Sequence, residues 1–159
     1  MKALPLDRKE KISYHISAIF GIGVSDLLLE GLQIEFSRRT GRIKNFSIGK
    51  ELVATMRTDG GLALTVFGAR ELIKNKQFRE NCVIPINEAI PFVSEGRSLF
   101  CKHVDWCGLN VKAGSDVAII DKNDHILATG RALFGCNTMK KYSKGIAVKV
   151  REGIKSRVK

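Results

Sequence analysis

The sequence has little that would support a metal centre or a disulfide scaffold. Its four cysteines, at positions 82, 101, 107 and 136, include no CxxC pair, whereas zinc ligands usually come in closely spaced pairs. Cys101, His103 and Cys107 lie near one another, but their spacing fits no common ligand pattern. We therefore expect no metal and no cofactor, and we interpret the cysteines as buried, reduced thiols. If the chain comes from a hyperthermophile, a Cys101–Cys107 disulfide is the alternative interpretation.

Membrane and catalytic signals are missing as well. No apolar run approaches the roughly 18 residues that a membrane-spanning helix needs. The first residues, MKALPLDRKEK, lack the hydrophobic core and cleavage site of a secretory signal, so we expect a cytoplasmic protein that does not associate with membranes. There is no nucleophile motif, no phosphate-binding glycine loop and no helical His pair. We therefore expect that the chain is not itself an enzyme.

Acidic residues are scarce. The 159 residues include 16 Asp and Glu against 27 Lys and Arg, which gives a formal net charge of +11. Residues 140–159 contain eight of these cations and one acid, so they supply +7 of the +11. Within IAVKVR, residues 146–151, the larger aliphatic residues Ile146, Val148 and Val150 take every second position, which predicts a strand with Lys149 and Arg151 pointing outward. Such a surface is typical of a protein that binds a polyanion, above all nucleic acid.

Hydrophobic periodicity divides the chain into two units that meet near residues 75–81. The first unit has a helix from Asp7, a plausible N-cap, to Phe20, then four short strands joined by tight turns and a closing helix after Gly68. This pattern predicts an antiparallel meander with helices on one face. The second unit, residues 82–153, has many short strands and two brief helices, which predicts a small β-barrel.

The motifs of the second unit follow the order seen in RNA-binding PUA domains. They are EGRSLFCKHV (95–104), AGSDVAIID (113–121), LATGRALF (127–134) and AVKVREG (147–153). In the first unit, TGRIKNFSIGKELVATMRTDGGLALTVFGARELI (40–73) resembles the α+β module that precedes PUA in archaeosine tRNA-guanine transglycosylases. Ala113, Ser115 and Thr138 depart from the family pattern. As a whole, the chain resembles the C-terminal arm of that enzyme family without its catalytic barrel.

The resemblance implies an α+β fold with three parts. The first is an antiparallel sheet with helices over residues 1–78, the second is a PUA pseudo-β-barrel over residues 79–153, and the third is a basic tail over residues 154–159. It also implies that the chain binds RNA, specifically the acceptor-stem-like helix and 3′ end of tRNA. The chain would then act as the detached arm of a tRNA-modification enzyme, next to a catalytic partner subunit.

Carried onto this sequence, the family's RNA-binding positions fall on eight residues: Gly96, Arg97, Lys102, His103, Arg131, Lys144, Lys149 and Arg151. Gly96 would let the backbone approach the ligand closely, and Arg97 would offer a planar fork to phosphate. Among the aromatic residues, we expect Trp106 to be exposed for base stacking and Phe100 to be packed in the core.

A second hypothesis makes the chain a protein-interaction or oligomerisation adaptor in RNA modification or ribosome biogenesis. Its docking element would be the Leu27-Leu28-Leu29 turn together with the exposed edge of the first sheet. Gel filtration at several concentrations distinguishes this adaptor from a monomeric RNA-binding protein.

Overall fold

The computed structural model describes residues 8–25 and 31–156. The predicted cap Asp7, the Leu27-Leu28-Leu29 turn and the last three residues of the basic tail lie outside the described residues. Among the helices that the structure describes, none is both long enough and apolar enough to cross a membrane.

The first module is a four-stranded antiparallel meander with two helices. Its elements are α1 (Arg8–Phe20), β1 (Leu32–Phe36), β2 (Ile43–Ile48), β3 (Glu51–Met56), β4 (Leu62–Leu64) and α2 (Val66–Leu72). The strands are hydrogen-bonded in the order β1-β2-β3-β4. On α1, Ile12, Ile16 and Phe20 recur every four residues and are all buried, because this spacing keeps them on one helical face. The predicted meander is confirmed.

Helix α2 approaches the sheet closely because Gly68 has no side chain. Its N-cap is Thr65, whose hydroxyl oxygen accepts a hydrogen bond from the Gly68 amide at 2.9 Å. A Cβ at position 68 would collide with the Val53 carbonyl on β3. The helix also contacts the strand Ile126–Ala132 of the second module, so it lies between the two halves of the chain.

The second module is a six-stranded sheet that curls into a nearly closed pseudo-barrel. Its elements are β5 (Cys82–Pro85), α3 (Ile90–Ser94), β6 (Leu99–Phe100), β7 (Val104–Cys107), β8 (Asp116–Ile120), β9 (Ile126–Ala132), α4 (Cys136–Lys141) and β10 (Ile146–Gly153). The strand order is β6-β10-β9-β8-β5-β7. The edge strands β6 and β7 are joined by a single 3₁₀ turn, Cys101–His103. The two edges of the sheet therefore meet at this turn, which we call the seam, and the predicted pseudo-barrel is confirmed.

The two modules share one of the two hydrophobic cores. The barrel interior is filled by one cluster, which includes Leu99, Val117, Ile119, Met139 and Val148. The other cluster lies between α1 and the first sheet, and it is completed by Cys82, Ile84, Ala118, Ile120 and Ile126 from the barrel. Strand β8 is buried at every position because successive side chains face the two different cores. Residues on both sides of the predicted boundary at residue 78 therefore pack in one core.

All four cysteines are buried and free. Burial raises the pKa of the Cys82 thiol and of the Cys107 thiol, because the charged thiolate is poorly solvated in an apolar interior. Across residues 8–25 and 31–156, no three His, Cys, Asp or Glu side chains lie close enough to hold a metal ion. The thiols therefore contribute to packing, as the sequence indicated.

Candidate nucleic-acid interface

A buried ion pair joins the two modules. The Asp116 carboxylate, at the start of β8, accepts hydrogen bonds from the Leu64 backbone amide at 2.7 Å and from both terminal nitrogens of Arg151 at 2.9 Å. The Leu64 carbonyl in turn accepts from Arg151 Nη2 at 2.5 Å and from the Thr129 hydroxyl at 3.0 Å. We call these four residues the junction. Their charges and backbone groups satisfy one another, so the end of β4 is held against the barrel.

The environment of Asp116 has two opposing effects on its charge. Burial raises the pKa of this carboxyl above its usual value, and the hydrogen bonds and charge of Arg151 oppose that rise. The Asp116 side chain is 1% exposed, whereas that of Arg151 is 38% exposed. Removing Arg151 would therefore leave a buried carboxylate without its countercharge.

A β-bulge turns Arg151 toward the junction. Val150 pairs with Gly130 and Glu152 pairs with Thr129, so Arg151 has no residue opposite it on β9. A bulged residue is left unpaired and its side chain is re-aimed. The expectation that Arg151 presents a free outward charge is therefore corrected, because its guanidinium is held by Asp116 and Leu64. Its contact with RNA stays a prediction.

Two other predicted residues, Arg131 and Lys149, lie directly opposite each other on β9 and β10. Both are exposed, and neither makes a salt bridge in the part of the chain that the structure describes. We call them the cationic pair. The charge of Arg131 does help to lower the pKa of Asp59, after the Gly61 amide hydrogen bond and the charge of Arg57. Like charges directly opposite each other destabilise a sheet, and a bound polyanion would relieve that repulsion. On its other side Arg131 lies opposite Asp116, whose carboxylate is bound by Arg151.

The seam brings together three more predicted residues. Lys102 and His103 belong to the 3₁₀ turn itself, and the Cys101 amide donates a hydrogen bond to the Gly145 carbonyl at 2.9 Å. This bond places Lys144, the residue before Gly145, beside the turn. Both lysines are exposed, and His103 is half-buried. The predicted Lys102, His103 and Lys144 thus lie on two adjacent segments of the seam.

Gly96 and Arg97 end helix α3. Gly96 has φ +98°, its amide donates to the Val93 carbonyl at 3.0 Å, and the Arg97 amide donates to the Phe92 carbonyl at 3.0 Å. These two bonds form a Schellman motif, which requires a left-handed residue that is usually glycine. A Cβ at Gly96 would lie 2.7 Å from the Ser156 hydroxyl oxygen. The close approach at Gly96 is therefore to the chain itself, and an approach to RNA stays a prediction.

An open cleft of about 1410 Å³ separates α2 from the end of β10. Arg97 forms part of its wall, and its guanidinium carbon lies 5.6 Å from the centre of the Phe92 ring. The charged lining residues are of both signs: Arg70, Arg97, Arg151 and Lys155 with Glu51, Glu95 and Glu152. The predicted site residues thus occupy three places on the barrel, namely this cleft, the cationic pair and the seam.

The structure reverses the expectation for two aromatic residues. Phe100 is 45% exposed, although its motif position suggested core packing. Trp106 is partly buried against the shared core, and the Arg79 guanidinium carbon lies 4.7 Å from the centre of its ring. The expectation for Phe100 was wrong. Trp106 is half-buried rather than exposed, and its stacking role stays a prediction. Along β6, Leu99 is fully buried and Phe100 is exposed, because successive residues of a strand face opposite sides of the sheet.

Comparison with protein families agrees with this architecture. Residues 83–154 match the PUA domain, and residues 11–78 match the patch-forming domain C2 of tRNA-guanine transglycosylase. The chain contains a PUA domain. Its two modules follow each other as in the arm that the sequence resembled, so that resemblance is confirmed.

Curated relatives match most of this chain. The chain is 37% identical over 138 residues to the tRNA-guanine(15) transglycosylase of Methanobrevibacter smithii, covering 86% of this chain and 21% of that protein. For the enzyme of Methanothermobacter thermautotrophicus the identity is 39% over 136 residues, with 84% and 21% covered. This PUA-domain chain therefore spans about a fifth of the length of the curated relatives it matches.

Two solved structures share the fold of nearly the whole PUA-domain chain. A hypothetical protein from Pyrococcus horikoshii superposes with a TM-score of 0.72 at 21% identity, covering 97% of this chain and 95% of that one. A conserved PUA domain protein from Thermoplasma acidophilum gives 0.66 at 17% identity, with 93% and 91% covered. The arrangement of the two modules is thus found in other chains of similar size.

Proposed function

We propose that the protein binds RNA, and that its ligand is the acceptor-stem-like helix and 3′ end of a tRNA. The observation that carries this proposal is the cationic pair. Arg131 and Lys149 are fixed side by side on adjacent strands, exposed and without a salt bridge among the described residues. Duplex RNA is recognised largely by shape and by phosphate and 2′-hydroxyl contacts, and a rigid pair of cations on a sheet supplies such contacts.

The seam extends this surface along the same strand. Gly145 and Lys149 are four residues apart, which is roughly 13 Å along a strand. The cationic pair and the seam lysines would therefore contact different phosphates of one RNA backbone. We propose that the RNA follows β10 from Lys149 toward the seam.

The names of the relatives support tRNA as the ligand. The curated proteins that the chain matches are tRNA-guanine(15) transglycosylases, and both modules match domains of that family or of PUA. We propose that the chain is the RNA-holding arm for such a catalytic unit, which would supply the chemistry. In this proposal the residues of the chain bind and orient the RNA and perform no reaction.

Binding to a tRNA transcript at several salt concentrations tests the proposal. The variant Arg131→Ala/Lys149→Ala should bind more weakly, and the slope of log K against log salt should fall by about two units because each lost phosphate contact removes about one. The matched control, Lys74→Ala/Lys122→Ala, also removes two cations, but those lysines already pair with Glu71 and Asp105. Equal slopes for the two variants would refute the proposed surface.

The identity of the RNA needs a separate experiment. The protein is crosslinked in its native cell, and the RNA that copurifies with it is sequenced. The proposal expects enrichment of tRNA, with crosslinks in the acceptor stem and near the 3′ end. Enrichment of ribosomal RNA instead would favour a role in ribosome biogenesis and would contradict the proposed ligand.

A further inference from the structure

Two of the four buried cysteines meet at the start of helix α4. Cys107 ends strand β7, and Cys136 is the first residue of the helix. The Sγ atom of Cys136 lies 3.1 Å from the carbonyl oxygen of Cys107. The Sγ atom of Cys107 lies 3.8 Å from Sδ of Met139, which is about one turn further along the helix. The fold thus brings Cys107 and Cys136 together, although they are 29 positions apart in sequence.

The two thiols also contact each other. Burial is the main cause that raises the pKa of the Cys107 thiol, and the next causes are a hydrogen bond with the Cys136 thiol and the charge of Cys136. A hydrogen bond between thiols requires the two side chains to approach closely. Two cysteines form a disulfide without backbone movement only when their side chains are already near and face each other. The thiol contact therefore prepares Cys107 and Cys136 for a covalent bond.

The other two cysteines lie in different surroundings. Cys82 packs in the core that the modules share, and its thiol donates a hydrogen bond to the Phe78 carbonyl at 3.5 Å. Cys101 belongs to the barrel core at the seam, where burial is the one cause that raises the pKa of its thiol. In the described part of the chain, no hydrogen bond joins the Cys101 and Cys107 thiols. The structure therefore gives Cys107 a different neighbour from the one that the sequence suggested.

We propose that Cys107 and Cys136 are the site of a disulfide bond. The oxidant is a small-molecule disulfide such as oxidised glutathione, and the reaction is thiol–disulfide exchange in two steps. Cys136, which is 8% exposed against 2% for Cys107, loses its proton, attacks the oxidant and releases one small thiolate. Cys107 then loses its proton, attacks the Cys136 sulfur and releases the second. The two thiolates take up the two protons, so two protein thiols are oxidised and one small disulfide is reduced.

This bond would hold α4 on the barrel beside the seam. Helix α4 has six residues, too few for a helix that is stable by itself, so its position depends on packing against β7 and the seam turn. A bond between Cys107 and Cys136 closes a loop of 29 residues and restricts the unfolded chain, which stabilises the folded protein. The inference is independent of the proposed RNA-binding function, because it concerns the barrel interior.

Peptide mapping after mild oxidation tests the proposal. The native protein is incubated with oxidised glutathione at about pH 8.5, since the reacting species is the thiolate. The reaction is then quenched, the protein is denatured, and free thiols are alkylated. Mass spectrometry of unreduced peptides should show one disulfide, between Cys107 and Cys136, with Cys82 and Cys101 alkylated. The midpoint of thermal unfolding should be roughly 5–10 °C higher for the oxidised protein than for the reduced protein, because the bond closes a loop of this length.

Matched variants identify the bond. Cys136→Ala should lose both the disulfide and the rise in the unfolding midpoint, whereas Cys82→Ala and Cys101→Ala, each of which also removes one buried thiol, should keep both. Mapping of the wild-type protein decides the outcome even if a variant folds poorly. Alkylation of all the cysteines, a Cys101–Cys107 bond, or a mixed disulfide that stops at the first step would overturn the proposal. A Cys107–Cys136 bond that forms only in denaturant would overturn it as well, because the folded protein would not have brought the thiols together.

Discussion

The junction and the cationic pair use cationic side chains in opposite ways, although they are neighbours on the barrel sheet. Arg151 and Lys149 are two residues apart on β10. The guanidinium of Arg151 contacts a buried carboxylate and a carbonyl of the first module. Lys149 lies opposite Arg131 and has no salt bridge in the described chain. One cation therefore stabilises the protein, while the other is available to a ligand.

The role of a cation on the barrel sheet depends on whether the first module covers that part of the sheet. At Thr129 and Asp116, β4 lies over the strands and removes water from them. A charge there needs a countercharge, because an unpaired buried ion is costly. At Arg131 and Lys149 the sheet is exposed, so like charges can remain side by side in contact with solvent. The following variants test this division, from the largest expected effect to the smallest.

Arg151→Ala should have the largest effect on stability. Breaking a buried ion pair costs about 3–5 kcal/mol, and the partial exposure of Arg151 reduces this to about 2–4 kcal/mol of unfolding free energy. Urea denaturation followed by circular dichroism measures the loss. Lys149→Ala is the matched control on the same strand. If both variants lose the same stability, the junction does not join the modules as described.

The loss in Arg151→Ala should also depend on pH. Asp116 already has a pKa raised by burial from the value of 3.8, and without Arg151 that pKa should rise further. A carboxyl whose pKa is higher in the folded protein stabilises the fold below its unfolded pKa, and this contribution is lost as the pH rises through the folded pKa. The deficit relative to wild type should therefore be large at pH 7 and should shrink at acidic pH. A deficit that is constant between pH 7 and pH 4, measured by the same denaturation, would contradict this linkage.

Gly96→Ala should have an intermediate effect. The alanine must adopt φ near +98° and place its methyl group against the Ser156 hydroxyl oxygen. Such a left-handed residue costs roughly 1 kcal/mol relative to glycine, and the contact with Ser156 adds to it. Thermal unfolding measures the shift. Gly96→Ala/Ser156→Gly removes the contact and should recover part of the loss, whereas no recovery would mean that the backbone conformation accounts for all of it.

Lys149→Ala should have the smallest effect on stability, and with the opposite sign. Removing one of two like charges that face each other should leave the free protein unchanged or more stable by about a few tenths of a kcal/mol. The same variant should bind RNA more weakly. Denaturation and anisotropy on one preparation measure both quantities. A variant that loses stability and keeps its RNA affinity would mean that Lys149, like Arg151, stabilises the fold. It would contradict the distinction between the junction and the cationic pair.

Local sequence patterns predicted the elements well. The spacing of Ile12, Ile16 and Phe20 gave the buried face of α1, and the alternation in residues 146–151 gave the strand β10. These predictions hold because helix and strand periodicities follow from backbone geometry between near neighbours in the chain. The tight turns between the strands of the first module were predicted for the same reason.

The site was harder to predict than the fold. The sequence placed Arg151 beside Lys149 on an outward face, but it contained no sign that Asp116, 35 residues earlier, would hold the guanidinium. A bulge and a long-range contact decided that outcome. Phe100 and Trp106 were misjudged because their exposure depends on which neighbours cover them. Trp106 packs under Arg79, which belongs to the link between the modules.

The sequence by itself determined the two modules, their order, the strands and helices within them, and the excess of positive charge near the C-terminal end. These properties depend on residue types and on contacts between near neighbours. The tertiary structure decided which charges are free and which are paired, and which aromatic rings are exposed. The reason is physical, since solvation and charge pairing depend on residues that are brought together across the shared core and cannot be read from spacing along the chain.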